Sequence, residues 1–167
     1  MAADEVLIDA VERGYLASGS EREREDLFRV LSVFKDALLR EIHADDTAGV
    51  MALSYTIRDG KNLGAGVILT LDDRVLFGWM KGLLKKPVIE AIPLSSITGV
   101  EQGVRPASGR LRENRTITIR AASEWEMICS PDVPDGAPLY GLLTDLLSGK
   151  VKADQLPDLE SQWKEPH

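Results

Sequence analysis

Apolar residues recur at helical spacing in the first quarter of the chain. One stripe predicts a short helix over residues 4–16, and its apolar positions are Leu7, Ile8, Val11 and Tyr15. A longer and wider stripe predicts a second helix over residues 21–42, built from Leu27, Phe28, Leu31, Phe34, Leu38, Leu39 and Ile42. Ser20 and Glu23 have the spacing of a capping box, so we expect the second helix to begin there. The pattern therefore predicts an N-terminal helical hairpin as an extension over residues 1–46.

From about residue 49 the period of the pattern changes to 2, which is typical of strands. The expected strands are 49–57, 65–71, 74–80, 87–92, 97–103, 115–121 and 124–129. The links between them are short and contain turn residues such as Asp59-Gly60 and Asp72-Asp73. Seven short strands with hairpin-length links predict an antiparallel meander that curls into a barrel or sandwich.

The segment after the last strand predicts a third helix. Asp135 and Pro138 are typical helix-start residues, and Gly149 is placed to end the helix. Its apolar face is expected to consist of Leu139, Leu142, Leu143, Leu146 and Leu147. The predicted organisation is the helical extension over 1–46, a sheet domain with its capping helix over 47–149, and a polar tail over 150–167. In the tail, Leu156, Leu159 and Trp163 are spaced for one more short helix.

Composition narrows the class of protein. A chain of 167 residues with 44% apolar and 28% charged residues suits one globular domain with an extension. A single cysteine, Cys129, allows no internal disulfide and fits a reducing compartment. The first residues lack the basic and apolar regions of a signal peptide, and no apolar run approaches the roughly 20 residues that span a bilayer. We therefore expect a cytoplasmic protein.

Charge is unevenly distributed along the chain. Residues 1–48 carry a net charge of −6, residues 58–120 carry +5, and residues 121–167 carry −6, within a total of −7. An acidic chain argues against general binding of nucleic acid, so no nucleic-acid partner is predicted. The basic middle third still leaves room for a local contact with an anionic partner.

Two stretches in the middle third carry a more distinctive pattern. The chain reads "VILTLDDRVLF" and then "KGLLKKPVIEAIPLSSITGVEQG", with key positions at Leu69, Thr70, Asp73, Arg74, Phe77, Gly82, Ile92, Pro93, Leu94, Ile97 and Val100. This order resembles the bacterial pleckstrin-homology (PH-like) family over residues 49–149. The resemblance implies an α+β, mainly β fold: a PH-like seven-stranded antiparallel barrel capped by a C-terminal helix, here preceded by the helical hairpin. It also implies a binding or assembly module, since some members form higher oligomers.

Residues that could support catalysis are few. The two histidines are His43 and His167, and His43 with Asp45 and Asp46 is a sparse ligand set for a metal ion. Cys129 shares the apolar face of its strand with Trp125 and Met127, which is typical of a buried structural thiol. The glycines at 60, 64 and 66 precede a strand and not a helix, so they do not form a phosphate-binding loop. We predict a non-catalytic protein with no cofactor and no metal.

The basic links between strands are the first candidate site. In a simple meander, the links after the first, third and fifth strands lie at one end of the sheet. The candidate binding rim comprises Arg58, Lys61, Lys81, Leu83, Leu84, Lys85, Lys86, Arg110 and Arg112, flanked by Arg105 and Arg115. Three interpretations stay open: solvated turns, a contact with an acidic protein or the chain's own N-terminal segment, and contact with an anionic membrane surface.

The second candidate is the apolar face of the helix at 21–42. Its central residues are Leu27, Leu31, Phe34 and Leu38. This face either packs on the chain's own barrel and covers an edge strand, or mediates self-association into a homo-oligomer. The sequence as a whole predicts a binding or scaffold module that mediates protein–protein contacts and self-association. The alternative is a peripheral membrane module that binds anionic lipid through the basic tip at residues 81–86.

Overall fold

The computed structural model describes residues 2–18, 21–105, 114–128 and 138–156. The helices are α1 (Ala3–Ser18), α2 (Glu21–Glu41) and α3 (Pro138–Leu147). The strands are β1 (Ala48–Arg58), β2 (Lys61–Leu71), β3 (Arg74–Lys81), β4 (Lys86–Pro93), β5 (Gly99–Arg105), β6 (Asn114–Arg120) and β7 (Glu124–Ile128). Short 3-10 turns occupy Leu94–Ser96 and Ala153–Gln155. The prediction of a mainly β antiparallel protein with three helices is confirmed.

All seven strands belong to one antiparallel sheet. Their spatial order is β4-β3-β2-β1-β7-β6-β5, so β1 to β4 form one meander and β5 to β7 a second. The two meanders join where β1 pairs with β7, from Tyr55 opposite Ile128 to Arg58 opposite Trp125. The sheet therefore has two edges, β4 and β5, and its hydrogen-bond ladder is not closed into the barrel that the sequence predicted.

The connection between the two edge strands forces the sheet to curl. Six strand spacings of about 4.8 Å would separate β4 from β5 by roughly 29 Å in a flat sheet. Only residues 94–98 link Pro93 to Gly99, and such a link reaches about 20 Å at full extension. The sheet must therefore bend until its edges approach each other. Pro93 ends β4 on an edge, where its missing amide hydrogen costs no ladder bond.

The concave face of the curled sheet encloses one core. The side chains at its centre are Phe77, Trp79 and Trp125, and the Phe77 and Trp125 rings stack with centroids 4.6 Å apart. Four leucines of α3 pack into this core: Leu142, Leu143, Leu146 and Leu147. Leu94 and Ile97, in the link between the edge strands, pack against it from the side. The third helix thus covers apolar surface that the open sheet would leave wet.

The convex face of the sheet carries a second core under α1 and α2. Val6, Leu7, Ala10 and Val11 from α1 and Phe34, Leu38 and Ile42 from α2 pack on Met51, Val67, Leu69, Leu71 and Leu76 of the sheet. Residues 66–71 of β2 are therefore buried on both faces. A strand with two covered faces reads as a continuous apolar run, which explains the uninterrupted "VIL" in this strand.

A bulge in β1 receives its missing hydrogen bond from a side chain. The register shifts by one residue between Ala48 and Met51, opposite Thr70. The Val50 amide donates to Oγ1 of Thr70 at 2.9 Å, and Thr70 is buried. A buried amide without such a partner would cost roughly 1–3 kcal/mol. Thr70, one of the residues that carry the family resemblance, therefore has a structural role here.

Several boundaries differ from the sequence prediction for local reasons. β2 begins at Lys61 because Asp59 and Gly60 both have positive φ, which gives a tight hairpin turn directly after Arg58. β5 begins at Gly99 because the preceding residues form the 3-10 turn. The capping box at Ser20, the thiol of Cys129 and the tail from residue 157 lie outside the described residues. None of the described helices is long and apolar enough to cross a membrane.

Gly78 sets the distance between α2 and the sheet. It lies in β3 on the convex face, beneath Phe34. A Cβ at this position would lie 2.9 Å from the ends of Ile89 and Val67 and 3.1 Å from Cδ1 of Phe34. The two 2.9 Å distances are shorter than real Cβ contacts, and the 3.1 Å distance to Phe34 is tighter than most of them. The absence of a side chain therefore lets the helix approach the strand closely.

We predict that Gly78→Ala lowers the free energy of unfolding by about 1–3 kcal/mol, because the added methyl group overpacks the helix–sheet core. Urea unfolding measures this change. Gly141→Ala is the matched control, because nothing lies near its Cβ and alanine favours the exposed helix position. Equal effects of the two substitutions would contradict the packing role of Gly78.

Candidate functional site

The connection between β3 and β4 is a tight, hydrogen-bonded tip. Lys81 pairs with Lys86, and four residues, 82–85, make the turn. Gly82 and Lys85 have positive φ values of 80° and 47°, and the Lys85 amide donates to the Gly82 carbonyl at 3.1 Å. The strands behind the tip are paired over their whole length. The tip is therefore held by backbone geometry and presents its side chains in a defined arrangement.

Leu83 and Leu84 are the most exposed large apolar side chains among the described residues. Their relative exposures are 103% and 82%, so both project into solvent. Lys81, Lys85 and Lys86 surround them, and residues 81–86 contain no acidic residue. The result is a small apolar point with a local charge of +3, which we call the β3–β4 tip.

Arg58, which the sequence assigned to the basic rim, points into the curled sheet. Its guanidinium makes two bonds to the Glu90 carboxylate, Nη1 to Oε2 at 2.9 Å and Nη2 to Oε1 at 3.2 Å. The same group lies 4.8 Å from the centroid of the Trp125 ring, and its Nε donates to the Ser123 hydroxyl. Since β4 lies three strands from β1, this ion pair spans the interior of the sheet. Arg58 is therefore a structural residue.

The other predicted rim residues fall into two groups. Lys61 is exposed in the β1–β2 turn, at the same end of the sheet as the β3–β4 tip. Arg110 and Arg112 lie outside the described residues. The last residue of β5, Arg105, pairs with the first residue of β6, Asn114, at one end of β6. At the other end of β6, the amide of Asp59 in the β1–β2 turn donates to the carbonyl oxygen of Glu124 at the start of β7. The described strands thus place the β1–β2 turn beside the β6–β7 turn. The expectation that the link after the fifth strand shares an end of the sheet with the links after the first and third is therefore wrong, because β1 pairs with β7.

The apolar residues of α2 occupy different environments. Phe34 and Leu38 are buried in the convex-face core, with relative exposures of 2% and 0%. Leu31 is half-buried, and the side chain of Leu27 lies outside the described residues. In the single chain, Phe34 and Leu38 stabilise the helix on its own sheet. Self-association through this face stays a prediction that concerns the exposed part of the helix.

An open groove lies between α1 and α2. Leu7, Ile8 and Val11 from α1 face Phe28 and Leu31 from α2 across about 570 Å³. Ile8 and Phe28 are 60% and 52% exposed. The sequence placed both residues on apolar helix stripes, but periodicity does not tell which part of a wide stripe stays outside the core. The helix hairpin therefore presents an apolar surface that the sequence did not single out.

The rim of this groove is mainly acidic. Asp4 and Glu12 contribute carboxylates from α1, and Lys35 contributes one ammonium group from α2. The whole of α1 carries four acidic residues and one basic residue, giving a net charge of −3. We call this surface, an apolar floor with a rim of net negative charge, the α1–α2 groove.

Arg74 connects three parts of the fold at the opposite end of β3 from the tip. It makes two 2.7 Å bonds to the Asp46 carboxylate and one of 2.7 Å to Asp73. It also donates to the carbonyl oxygen of Glu41, the last residue of α2, at 2.6 Å. Cations near the carboxyl end of a helix are stabilising. Arg74 therefore ties α2 and the following link to the β2–β3 turn.

The carboxylates around Arg74 form the one acidic cluster with metal-ligand spacing among the described residues. It comprises Asp46, Asp72 and Asp73, whose oxygens lie within 4.8 Å of one another. Asp46 and Asp73 are engaged by the Arg74 guanidinium, and Asp72 accepts from the Thr47 amide. A fixed guanidinium within the cluster disfavours a cation there. His43 contributes its backbone amide to Asp46, at 2.7 Å.

The Arg74 hydrogen bonds hold the pKa of Asp46 below its ordinary value and raise the pKa of Arg74. Asp46 is buried apart from 7% of its side chain, so solvent screens the pair only weakly. Because folding lowers the pKa of Asp46, the folded state binds fewer protons than the unfolded state around that pKa. The stabilisation is therefore present above the ordinary pKa of about 3.9 and is lost as the pH falls towards the folded-state value.

We predict that Asp46→Asn lowers the free energy of unfolding by about 2 kcal/mol at pH 7, because it removes charge-assisted bonds to Arg74. The difference between the natural chain and the variant should shrink as the pH falls below about 4. Urea titrations at pH 7, 5 and 3 measure it. A difference that stays constant down to pH 3 would show that the pair is not titrating as described.

We predict that Arg58→Met lowers the free energy of unfolding by about 1 kcal/mol, because a half-exposed ion pair and a cation–π contact are lost. Arg120→Met is the control, since Arg120 forms a similar ion pair with Glu101 on an exposed surface. That substitution should leave stability unchanged. If both variants unfold at the natural urea midpoint, the pair across the sheet interior contributes nothing.

No protein-family model matches the chain, and no curated protein sequence matches it. Among solved structures, the crystal structure of a pleckstrin homology domain from Shewanella amazonensis SB2B is similar, with 9% sequence identity and a TM-score of 0.45. The match covers 71% of this chain and 97% of that chain. The structure is thus similar to a bacterial pleckstrin homology domain, as the sequence motif suggested.

Proposed function

We propose that this chain is a non-catalytic binding module that mediates protein–protein contacts and self-association through the β3–β4 tip. The observation that carries the proposal is the full exposure of Leu83 and Leu84 on a hydrogen-bonded hairpin. Burying a leucine side chain contributes roughly 1.5–3 kcal/mol. Two adjacent leucines whose backbone is already fixed supply that energy without a large ordering cost.

The tip is separate from the residues that hold the fold together. Its side chains belong to neither hydrophobic core, and Gly82 has open space around it. Substitutions at the tip therefore change binding without removing packing from the body of the protein. This separation of surface contact from internal stability is what a docking element needs, and it makes the proposal testable with folded variants.

The lysines limit the kind of partner. Lys81, Lys85 and Lys86 have no carboxylate at ion-pair distance within the described residues. An acidic surface on a partner would complement them, steering encounter and fixing orientation. The preferred partner is therefore a protein surface that combines an apolar recess for the leucines with an acidic rim.

A second candidate function uses the same tip on an anionic membrane surface. Three lysines near such a surface contribute about 1 kcal/mol each, and the two exposed leucines can enter the region between headgroups and acyl chains. This candidate differs from the first in its ligand. It predicts binding to anionic vesicles, whereas the first predicts contact between protein surfaces.

We predict that the full chain self-associates and that Leu83→Asp with Leu84→Asp abolishes the association, because two desolvated leucines become charged. Sedimentation velocity measures the weight-average mass. Protein concentrations from about 1 to 500 μM cover dissociation constants from roughly micromolar upwards. The natural chain should exceed its monomer mass of 18.3 kDa at high concentration. The double variant should stay at 18.3 kDa throughout.

Val104→Asp is the matched control, because Val104 is an exposed apolar residue, at 57%, on β5 away from the tip. It should associate like the natural chain. A natural chain that stays monomeric at every concentration would refute self-association. Co-sedimentation with phosphatidylserine vesicles then tests the second candidate: loss of pelleting in Lys85→Glu with Lys86→Glu supports the membrane function, and no pelleting of the natural chain rules it out.

A further inference from the structure

The α1–α2 groove is complementary to the β3–β4 tip in shape and in charge. The tip has two exposed leucines within a local charge of +3, and the groove has an apolar floor under an acidic rim. We propose that the tip of one copy of this chain inserts Leu83 and Leu84 into the α1–α2 groove of a second copy. The inference rests on the proposed function and names the partner surface.

Size and surface character favour this occupant. A groove of about 570 Å³ is within the range of sites that hold a compact apolar group. Its floor includes Ile8 and Phe28, which keep more than half of their surfaces exposed in the single chain. A hairpin tip is narrow, because only four residues turn between paired strands. The two leucines of such a tip can reach the floor of a groove between two helices.

Charge gives the contact its orientation. α1 carries a net charge of −3 and supplies Asp4 and Glu12 at the rim. The three lysines of the tip are opposite in charge to α1 and to the two rim carboxylates, and Lys35 is the one positive charge on the rim. An acidic tip or a basic groove would repel instead, so complementarity selects this arrangement over a contact of groove with groove or of tip with tip.

The two surfaces do not satisfy each other within one chain. Leu83 and Leu84 are 103% and 82% exposed, and Ile8 and Phe28 of the groove are 60% and 52% exposed. The tip and the groove thus both present apolar surface on the single chain. A tip-to-groove contact that the two copies reciprocate closes a two-fold dimer, whereas one that is not reciprocated is heterologous and generates a closed ring or a filament.

A complementation experiment tests the proposal on the full chain. The tip variant carries Leu83→Asp and Leu84→Asp, and the groove variant carries Ile8→Lys and Glu12→Lys at exposed positions. Each variant alone should be monomeric, with self-association weakened at least about 100-fold. Mixed in equal amounts, they should form a one-to-one complex and nothing larger, because the tip variant keeps an intact groove and the groove variant keeps an intact tip.

Controls separate the contact from a general effect of charge. Val33→Lys with Asp36→Lys makes the same type of change on α2, at exposed positions outside the groove lining. This variant should associate like the natural chain. Thermal unfolding by circular dichroism checks that each variant folds. Raising NaCl from 0.05 to 0.5 M should weaken the association about tenfold, because the charged rim is screened.

The outcomes distinguish this inference from the proposed function. If the tip variant is monomeric and the groove variant associates like the natural chain, the tip still docks but not in this groove, so the inference is overturned. Failure of the mixture to form the one-to-one complex overturns it as well.

Removal of residues 157–167 tests whether the chain's own tail occupies the groove. Tighter association of the shortened chain means that the tail competes with the tip for the groove. Unchanged association leaves the tip as the occupant. A natural chain that never associates overturns both proposals.

Discussion

The fold depends on the short link between the two edge strands of its sheet. Residues 94–98 are too few to cross a flat seven-stranded sheet, so the sheet must bend until β4 and β5 approach. Bending brings Arg58 at the end of β1 to Glu90 in β4, three strands away, with the Trp125 ring beneath the guanidinium. The concave face then closes over its aromatic residues, and α3 fills what remains. One local constraint thus creates the interior core.

Curvature of the sheet also determines where α1 and α2 pack. A bent sheet has a convex face that its own strands do not shield, and α1 and α2 cover this face over β1 to β4. Close approach of α2 requires Gly78 beneath Phe34, and Arg74 fixes the carboxyl end of the same helix to the β2–β3 turn. The second helix is therefore bound at its carboxyl end by hydrogen bonds and along its length by packing. The faces of α1 and α2 that do not contact the sheet lie side by side, and together they line the α1–α2 groove.

Much of the architecture could be predicted from local patterns, because hairpins are local. Alternation of apolar residues located all seven strands, and Asp59-Gly60 located the first turn. The pairing of β1 with β7 could not be read in this way, since it joins residues that are about 70 positions apart. The role of Arg58 was missed for the same reason, because Glu90 and Trp125 reach it only after the sheet bends. The β3–β4 tip could be predicted from the sequence, because its residues are adjacent along the chain.

The candidate site shows a different limit of sequence reasoning. A wide apolar stripe on α2 predicted either packing on the sheet or self-association, and the structure divides the stripe: Phe34 and Leu38 are buried while Phe28 stays at the surface. Periodicity gives the width of the apolar stripe on a helix, but it does not tell how much of that stripe the sheet buries. The charge pattern carries a similar ambiguity, since net values of −6 and +5 in two segments do not tell where the segments meet.

In the fold, these opposite charges occupy separate surfaces, with acidic residues along α1 and basic residues at the β3–β4 tip. Copies with a net charge of −7 repel one another at long range, and salt screens this repulsion beyond about 8 Å. At shorter range, an approach that places a tip against an acidic helix gains attraction, because the two local charges are opposite. The exposed leucines add their burial energy only after that approach has occurred. In the contact that we propose, charge therefore favours this orientation, and apolar contact stabilises it.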